Sequence, residues 1–64
     1  MTLGEFLKEK RKAKGFTQEK LSEIAVISVA AISLIETDKI KPQSATLGKL
    51  CKVLECFDEI EKYL

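Results

Sequence analysis

The sequence predicts an all-α protein, a compact bundle of four to five short helices in a single domain that spans residues 1–64. Apolar residues recur at helical spacing along most of the chain, and residues that favour helix N-termini stand before several of these stretches. The polar connections between them are short. A domain of this size is only marginally stable alone, so we expect self-association to add stability.

The first helix is predicted at about residues 3–14. Thr2 and Glu5 form a capping box, in which each residue hydrogen-bonds the backbone of the other. Gly15 is a C-terminal cap, and the cations before it suit the negative end of a helix. These cations are Lys10, Arg11, Lys12 and Lys14, and the apolar stripe of the helix is Leu3, Phe6 and Leu7.

Thr17 is predicted as the N-cap of a short second helix. Its buried stripe is expected to consist of Leu21, Ile24 and Ala25. Residues 24–35 are mostly apolar, with many β-branched side chains, so a strand is a competing interpretation. The run is too short to cross a bilayer, which takes about 20 residues.

Helical periodicity favours a turn at residues 26–27, an N-cap at Ser28 and a third helix from residue 29 to about 37. One side of this helix then carries Ser28, Ile32, Ile35 and Glu36, and the opposite side carries Ala30, Ser33, Leu34 and Thr37. A polar loop at 38–42 follows. The spacing of Leu47, Leu50, Cys51 and Leu54 predicts a fourth helix at about 44–54, and a short fifth helix is indicated by Phe57, Ile60 and Leu64.

Composition argues against an enzyme. The chain has no histidine and two cysteines, so it lacks the residues for a four-ligand zinc site or a common catalytic pair. We expect no cofactor, no metal, no small-molecule substrate and no membrane contact. Cys51 and Cys56 are predicted to be reduced core residues, on different faces of one helical segment. With no signal peptide ahead of them, the protein is expected to be cytoplasmic.

The net charge of +1 is unevenly distributed. Residues 1–52 carry ten lysines and arginines against six acidic residues, a net charge of +4. Residues 53–64 carry one lysine against four acidic residues, a net charge of −3. A mildly basic body with an acidic end is compatible with nucleic-acid binding, although composition alone fits an ordinary solvated surface equally well.

A specific motif runs through residues 15–42. Gly15-Phe16-Thr17-Gln18 is followed at fixed separations by Leu21, Ile32-Ser33, Ile35-Glu36, Lys39 and Pro42. This arrangement resembles the Cro and phage-repressor (Xre) helix-turn-helix family, without a gap over residues 3–54 and more loosely to residue 64. The resemblance implies a lambda-repressor-like fold, with the second and third helices forming the helix-turn-helix.

The resemblance further implies a transcriptional regulator, most simply a repressor, that binds double-stranded DNA at a palindromic operator. Helix 3, at about residues 28–37, would enter the major groove. Gln18 corresponds to the family's phosphate-binding glutamine at the start of helix 2. The residues expected to contact DNA are Thr17, Gln18, Ser28, Val29, Ala30, Ala31, Ser33, Leu34, Thr37, Lys39, Lys41 and Gln43.

Two further expectations follow from the family. Arg11 and Glu36 correspond to a buried ion pair that joins helix 1 to helix 3. Family members commonly pair across their operators, so we expect a homodimer. Its interface is expected to use Phe57, Ile60, Tyr63 and Leu64; alternatively, Phe57 and Ile60 simply cap the core.

The sequence departs from the family pattern at two places. Val26 replaces the glycine that usually follows helix 2, so either the turn geometry differs or tight packing tolerates the strain. The recognition helix carries Val29, Ala30, Ala31 and Leu34 where polar residues are usual. These side chains can contact thymine methyl groups, which would favour A/T-rich sites. The alternative function is a protein–protein interaction domain, with Val26 and the apolar face of helix 3 as its binding surface.

Overall fold

The computed structural model describes residues 1–63, and within them the chain is helical with no strand. The elements are α1 (Leu3–Ala13), α2 (Gln18–Ala25), α3 (Val29–Glu36), α4 (Ser44–Leu54), α5 (Phe57–Ile60) and a 3₁₀ turn (Glu61–Tyr63). The predicted all-α fold is confirmed, and residues 24–35 do not form a strand. No helix in this part of the chain is both long enough and apolar enough to cross a membrane.

Local capping interactions define where the first three helices begin. Thr2 and Glu5 form the predicted capping box: the Glu5 amide donates to Thr2 Oγ1 at 3.2 Å, and the Thr2 amide donates to Glu5 Oε1 at 2.9 Å. The hydroxyl of Thr17 caps α2, and that of Ser28 caps α3. Gly15 follows α1 with a φ of 76°, a conformation that glycine adopts without strain.

The core lies between α1 and α4 on one side and α2 and α3 on the other. Most of the buried positions follow the predicted stripes. Ile24 does not, because its side chain remains 44% exposed. Leu21 and Ala25, four residues apart, occupy the buried face of α2, and Ile24 lies to one side of it. The buried apolar residues are Phe6, Leu7, Leu21, Ala25, Ile32, Ile35, Leu50, Cys51, Leu54, Cys56 and Ile60.

The start of α1 packs directly against the end of α3 at Gly4. A Cβ atom on Gly4 would lie 2.4 Å from the carbonyl oxygen of Ile35 and 2.7 Å from that of Glu36, so only glycine fits. The Gly4 amide donates to Asp38 Oδ1 at 2.9 Å, and the Thr2 hydroxyl donates to Asp38 Oδ2. Asp38 therefore joins the N-terminus of α1 to the segment that follows α3.

Both cysteines are free and buried, but the prediction that they lie on different faces of one helical segment is wrong. α4 ends at Leu54, and Glu55 adopts a left-handed conformation with a φ of 55°. The Cys56 amide donates to the carbonyl oxygen of Cys51 at 3.2 Å. This way of ending the helix brings the side chains of Cys51 and Cys56 together, and both thiols lie in the core.

Residues 55–63, the C-terminal segment, contact α1 through three side-chain pairs. The rings of Phe6 and Tyr63 stack with centroids 4.6 Å apart. Lys10 Nζ donates to Glu59 Oε1 at 2.6 Å, which raises the pKa of Lys10. Lys14 forms an ion pair with Glu55 and lowers the pKa of that carboxyl.

The four residues expected at a dimer interface have different environments. Ile60 is 5% exposed and belongs to the core, and Tyr63 is half-buried on α1. Phe57 is 56% exposed. Leu64 lies outside the described residues. Among the three described residues of this set, Phe57 is the one whose side chain is largely available to a second molecule.

Candidate nucleic-acid interface

The turn between α2 and α3 consists of Val26 and Ile27. Val26 has φ and ψ values of 57° and 52°, so it keeps the left-handed conformation although it carries a β-branched side chain. Ser22 stabilises the turn through three hydrogen bonds. Its carbonyl oxygen accepts from the amides of Val26 and Ile27, and its hydroxyl donates to the carbonyl of Ile27. Ser22 was not among the sequence-predicted residues, since its role depends on the turn conformation.

Arg11 and Glu36 form an ion pair between α1 and α3. Arg11 Nε donates to Glu36 Oε2 at 2.7 Å, and Arg11 Nη2 donates to Glu36 Oε1 at 3.2 Å. Their side chains are 9% and 3% exposed. A bidentate pair of this kind restricts both distance and orientation, so it fixes α3 relative to α1.

Gln18 and Phe16 complete this network. Gln18 Nε2 donates to Glu36 Oε1 at 3.0 Å, and Arg11 Nη1 donates to the carbonyl oxygen of Phe16 at 2.8 Å. The Glu36 carboxylate thus connects three helices. An amide nitrogen carries two N–H donors, so the Gln18 amide is held in place by one donor and has a second to offer to another acceptor.

The outward face of α3 presents mainly hydrocarbon. Ala30 is exposed and Leu34 is 39% exposed, whereas Val29, Ala31 and Ser33 are half-buried. On the opposite side, Ile32, Ile35 and Glu36 are buried, whereas Ser28, which the periodicity placed with them, is exposed at the start of the helix.

The hydroxyl groups at the two ends of α3 are used within the helix. Ser28 Oγ accepts from the amide of Ala31 at 3.1 Å. Thr37 Oγ1 donates to the carbonyl oxygens of Ser33 at 2.8 Å and Leu34 at 3.3 Å. The Thr37 proton is therefore not free to donate to another acceptor.

The loop after α3 is exposed and carries two cations, Lys39 and Lys41. Gln43, the N-cap of α4, makes no side-chain capping bond, and neither α3 nor α4 has an acidic residue in its first turn. The partial positive charge at these two helix N-termini is therefore not balanced locally. Together with the lysines it favours an anion such as a phosphate.

An apolar groove of about 630 Å³ runs between the end of α2 and α4. Its walls include Ile24, Val26 and Val53, with Lys49 and Lys52 at its edge. Val26 therefore borders the groove beside α4. Within residues 1–63, no cluster of cysteine and acidic side chains is arranged to hold a metal ion.

Comparison with known proteins gives two findings. A family model described as helix-turn-helix matches residues 7–56. The HTH-type transcriptional regulators PuuR of Escherichia coli (strain K12) and Shigella flexneri are each 41% identical over 64 residues, covering 92% of this chain and 35% of theirs. The chain thus spans about a third of the length of these relatives. No match was found among solved structures.

Proposed function

The chain belongs to the helix-turn-helix family of DNA-binding transcriptional regulators, and on that basis we propose that it is a repressor that binds a palindromic operator as a homodimer. The observation that carries the proposal is the buried network centred on Glu36. It holds α3 in a fixed orientation through α1 and α2, while Ala30 and Leu34 on the outer face of α3 remain exposed within residues 1–63. A preorganised, projecting helix is what major-groove recognition requires.

Phosphate contacts are assigned to the groups around α3. Gln18 is positioned by Glu36 with one amide donor to spare. Lys39 and Lys41 supply positive charge from the exposed loop, next to the uncompensated N-terminus of α4. Thr17 and Gln43 complete the set, whereas Thr37 donates its proton to carbonyl oxygens of α3 and is assigned no phosphate contact. These contacts supply affinity and fix the register of the protein on the duplex, but they do not distinguish one base sequence from another.

Base contacts are assigned to the outward face of α3. Ala30 and Leu34 project furthest, because they are its two exposed side chains. Ser28, Val29, Ala31 and Ser33 lie at its start and along its edges. Four of the six assigned side chains are hydrocarbon, so the proposed readout differs from one based on amide or guanidinium groups.

Dimerisation is assigned to Phe57 and the groove beside it. This groove, of about 260 Å³, is lined by Ser44, Leu47, Gly48, Cys51, Phe57 and Ile60. A Cβ atom on Gly48 would meet nothing within 4 Å, so the groove is open there. In a two-fold dimer, Phe57 of each protomer would occupy the groove of the other. The apolar contact would supply the extra burial that a small domain lacks.

The decisive experiment is selection from a random duplex pool at low and moderate salt, followed by sequencing. We expect an enriched, two-fold symmetric motif whose retention weakens with salt, because several phosphate contacts release counterions. The double variant Lys39→Gln/Lys41→Gln should weaken binding to all DNA sequences by the same factor. It should also reduce the steepness of log affinity against log salt by about 2. Lys62→Gln, a lysine in the acidic C-terminal segment, is the control and should leave the slope unchanged.

Failure to retain DNA, or retention without an enriched motif, would contradict the proposal. It would favour the alternative in which α3 presents its apolar face to a protein. Salt again distinguishes the two, since an apolar interface responds little to it.

Sedimentation tests the homodimer separately. Phe57→Ser should shift the protein toward monomer at micromolar concentration without loss of helicity. The control is Ile24→Ser, which changes an exposed apolar residue in the groove between α2 and α4 and should leave the oligomeric state unchanged. A wild-type protein that stays monomeric at high micromolar concentration would exclude this dimer.

A further inference from the structure

We propose that α3 recognises the C5 methyl groups of pyrimidines in the major groove, with Leu34 as the main specificity-determining residue. The ligand is therefore duplex DNA whose half-site presents thymine methyl groups toward Leu34 and Ala30. This inference rests on the proposed DNA-binding function and specifies what the site selects.

Helix α3 lacks the polar side chains that usually read bases. The helix contains no Arg, Lys, Asn or Gln, and its carboxylate, Glu36, is buried in the network with Arg11. Guanine is read by a bidentate Arg or Lys, and adenine by a bidentate Asn or Gln. The helix cannot make either contact.

The hydroxyl groups at the two ends of α3 are engaged within the helix. Ser28 Oγ already accepts from the Ala31 amide, and the Thr37 proton is donated to carbonyl oxygens of α3. Ser33 is half-buried at the side of the exposed face. A hydroxyl group accepts and donates about equally well, so it distinguishes bases weakly. The hydroxyl groups therefore do not replace the missing amide and guanidinium groups.

The exposed side chains of α3 are apolar. Leu34 and Ala30 are four residues apart, so they lie on the same face in successive turns. Leu34 is the largest exposed side chain of α3. Thymine is the DNA base that carries a methyl group on its major-groove edge. Contact between this methyl and the Leu34 side chain removes apolar surface from water on both partners.

The test compares thymine with deoxyuridine in the selected duplex. Deoxyuridine keeps the pairing and hydrogen-bonding groups and lacks only the methyl group. We expect about a fourfold loss of affinity for each contacted methyl, the effect of exposing one such group. Two symmetric half-sites would then lose about sixteenfold. Replacement of thymines outside the half-sites is the control and should have no effect.

Two further arms identify the atoms involved. Replacing a contacted T·A pair by C·G should weaken binding, and 5-methylcytosine at that position should restore a similar fourfold factor. In Leu34→Ala the loss caused by deoxyuridine should shrink at the position that Leu34 contacts. Thermal melting should show that this variant is folded, since Leu34 is partly exposed.

The outcomes separate the two levels of proposal. If no duplex is retained, the proposed DNA binding fails. If a motif is bound with equal affinity as thymine and as deoxyuridine, or if the motif contains no thymine, DNA binding stands and methyl recognition is overturned. If the penalty is unchanged in Leu34→Ala at every position, the assignment to Leu34 is overturned.

Discussion

Arg11 and Glu36 are 25 residues apart in sequence, and their side chains share two hydrogen bonds, of 2.7 and 3.2 Å, in the interior of the domain. A charge removed from water is costly to a fold unless its partner remains beside it. The pair therefore makes the position of α3 depend on both partners at once.

Removal of one partner should destabilise the protein strongly. We expect Arg11→Met to lower the free energy of unfolding by about 3–5 kcal/mol, because the Glu36 carboxylate stays buried without its counter-charge. Urea denaturation measures this, with Lys12→Met, an exposed neighbour, as the control. The double variant Arg11→Met/Glu36→Leu should recover much of the loss, because no charge is then stranded. A single variant with wild-type stability would refute the structural role of the pair.

The contact of Gly4 with α3 predicts opposite effects for two glycine substitutions. In Gly4→Ala the new Cβ meets backbone carbonyl oxygens of Ile35 and Glu36, which cannot move without displacing α3. We expect a loss of about 1–3 kcal/mol in unfolding free energy. Gly48→Ala, also within a helix and with nothing near its Cβ, should gain about 0.5–1 kcal/mol. Both variants should be compared at a concentration where the protein is monomeric, because Gly48 lines the proposed dimer groove. Equal changes in the free energy of unfolding would contradict the proposed crowding at Gly4.

The left-handed conformation of Val26 predicts a stabilising substitution. Such a conformation costs about 1–2 kcal/mol for residues that carry a Cβ atom. Val26 is 77% exposed, so its removal sacrifices little apolar burial. We expect Val26→Gly to raise the free energy of unfolding by about 1 kcal/mol. Val26→Ala, which keeps the Cβ atom, should show no comparable gain; similar gains in both variants would exclude strain as the cause.

The buried thiols predict a loss of stability in alkali. Burial raises the pKa of the Cys51 thiol and raises that of Cys56 from 9.0 to about 12. A folded-state pKa above the unfolded value gives stability that is present below pH 9 and is lost as the pH rises from 9 toward 12. We expect the titration of Cys56 to lower the free energy of unfolding by about 1 kcal/mol between pH 8 and 10, and that of Cys51 to lower it further.

The Cys56→Ala variant isolates this contribution. It is expected to be less stable than wild type at pH 8, because a buried side chain is shortened. Its stability should fall less steeply with pH, so the difference between the two proteins narrows toward pH 10. Urea denaturation in reducing buffer measures both, and parallel pH profiles would contradict the assignment.

Features set by neighbouring residues could be predicted from the sequence. The capping box of Thr2, the N-caps Thr17 and Ser28, and the cap glycine Gly15 are local signals, so the starts of the first three helices followed from them. The pairing of Arg11 with Glu36 was expected from the family resemblance and not from periodicity.

Features set by distant contacts or by an unusual backbone conformation could not be predicted. Asp38 reads as a polar loop residue, and its role depends on α1 arriving beside it. Cys51 and Cys56 come together only because Glu55 adopts a left-handed conformation that is uncommon outside glycine. The apolar pattern of α5 likewise does not show that Ile60 packs inward while Phe57 stays outside.

The stacking of Phe6 on Tyr63 and the pairing of Lys10 with Glu59 have a consequence for local unfolding. These contacts join the first helix to residues 57–63, so each limits the opening of the other. Local opening is then expected to begin away from this contact, for example at residues 41–43, which follow the part of the loop held by Asp38 and by the Lys39 amide. Lys41 and Gln43, both assigned to phosphate contacts, lie in this segment.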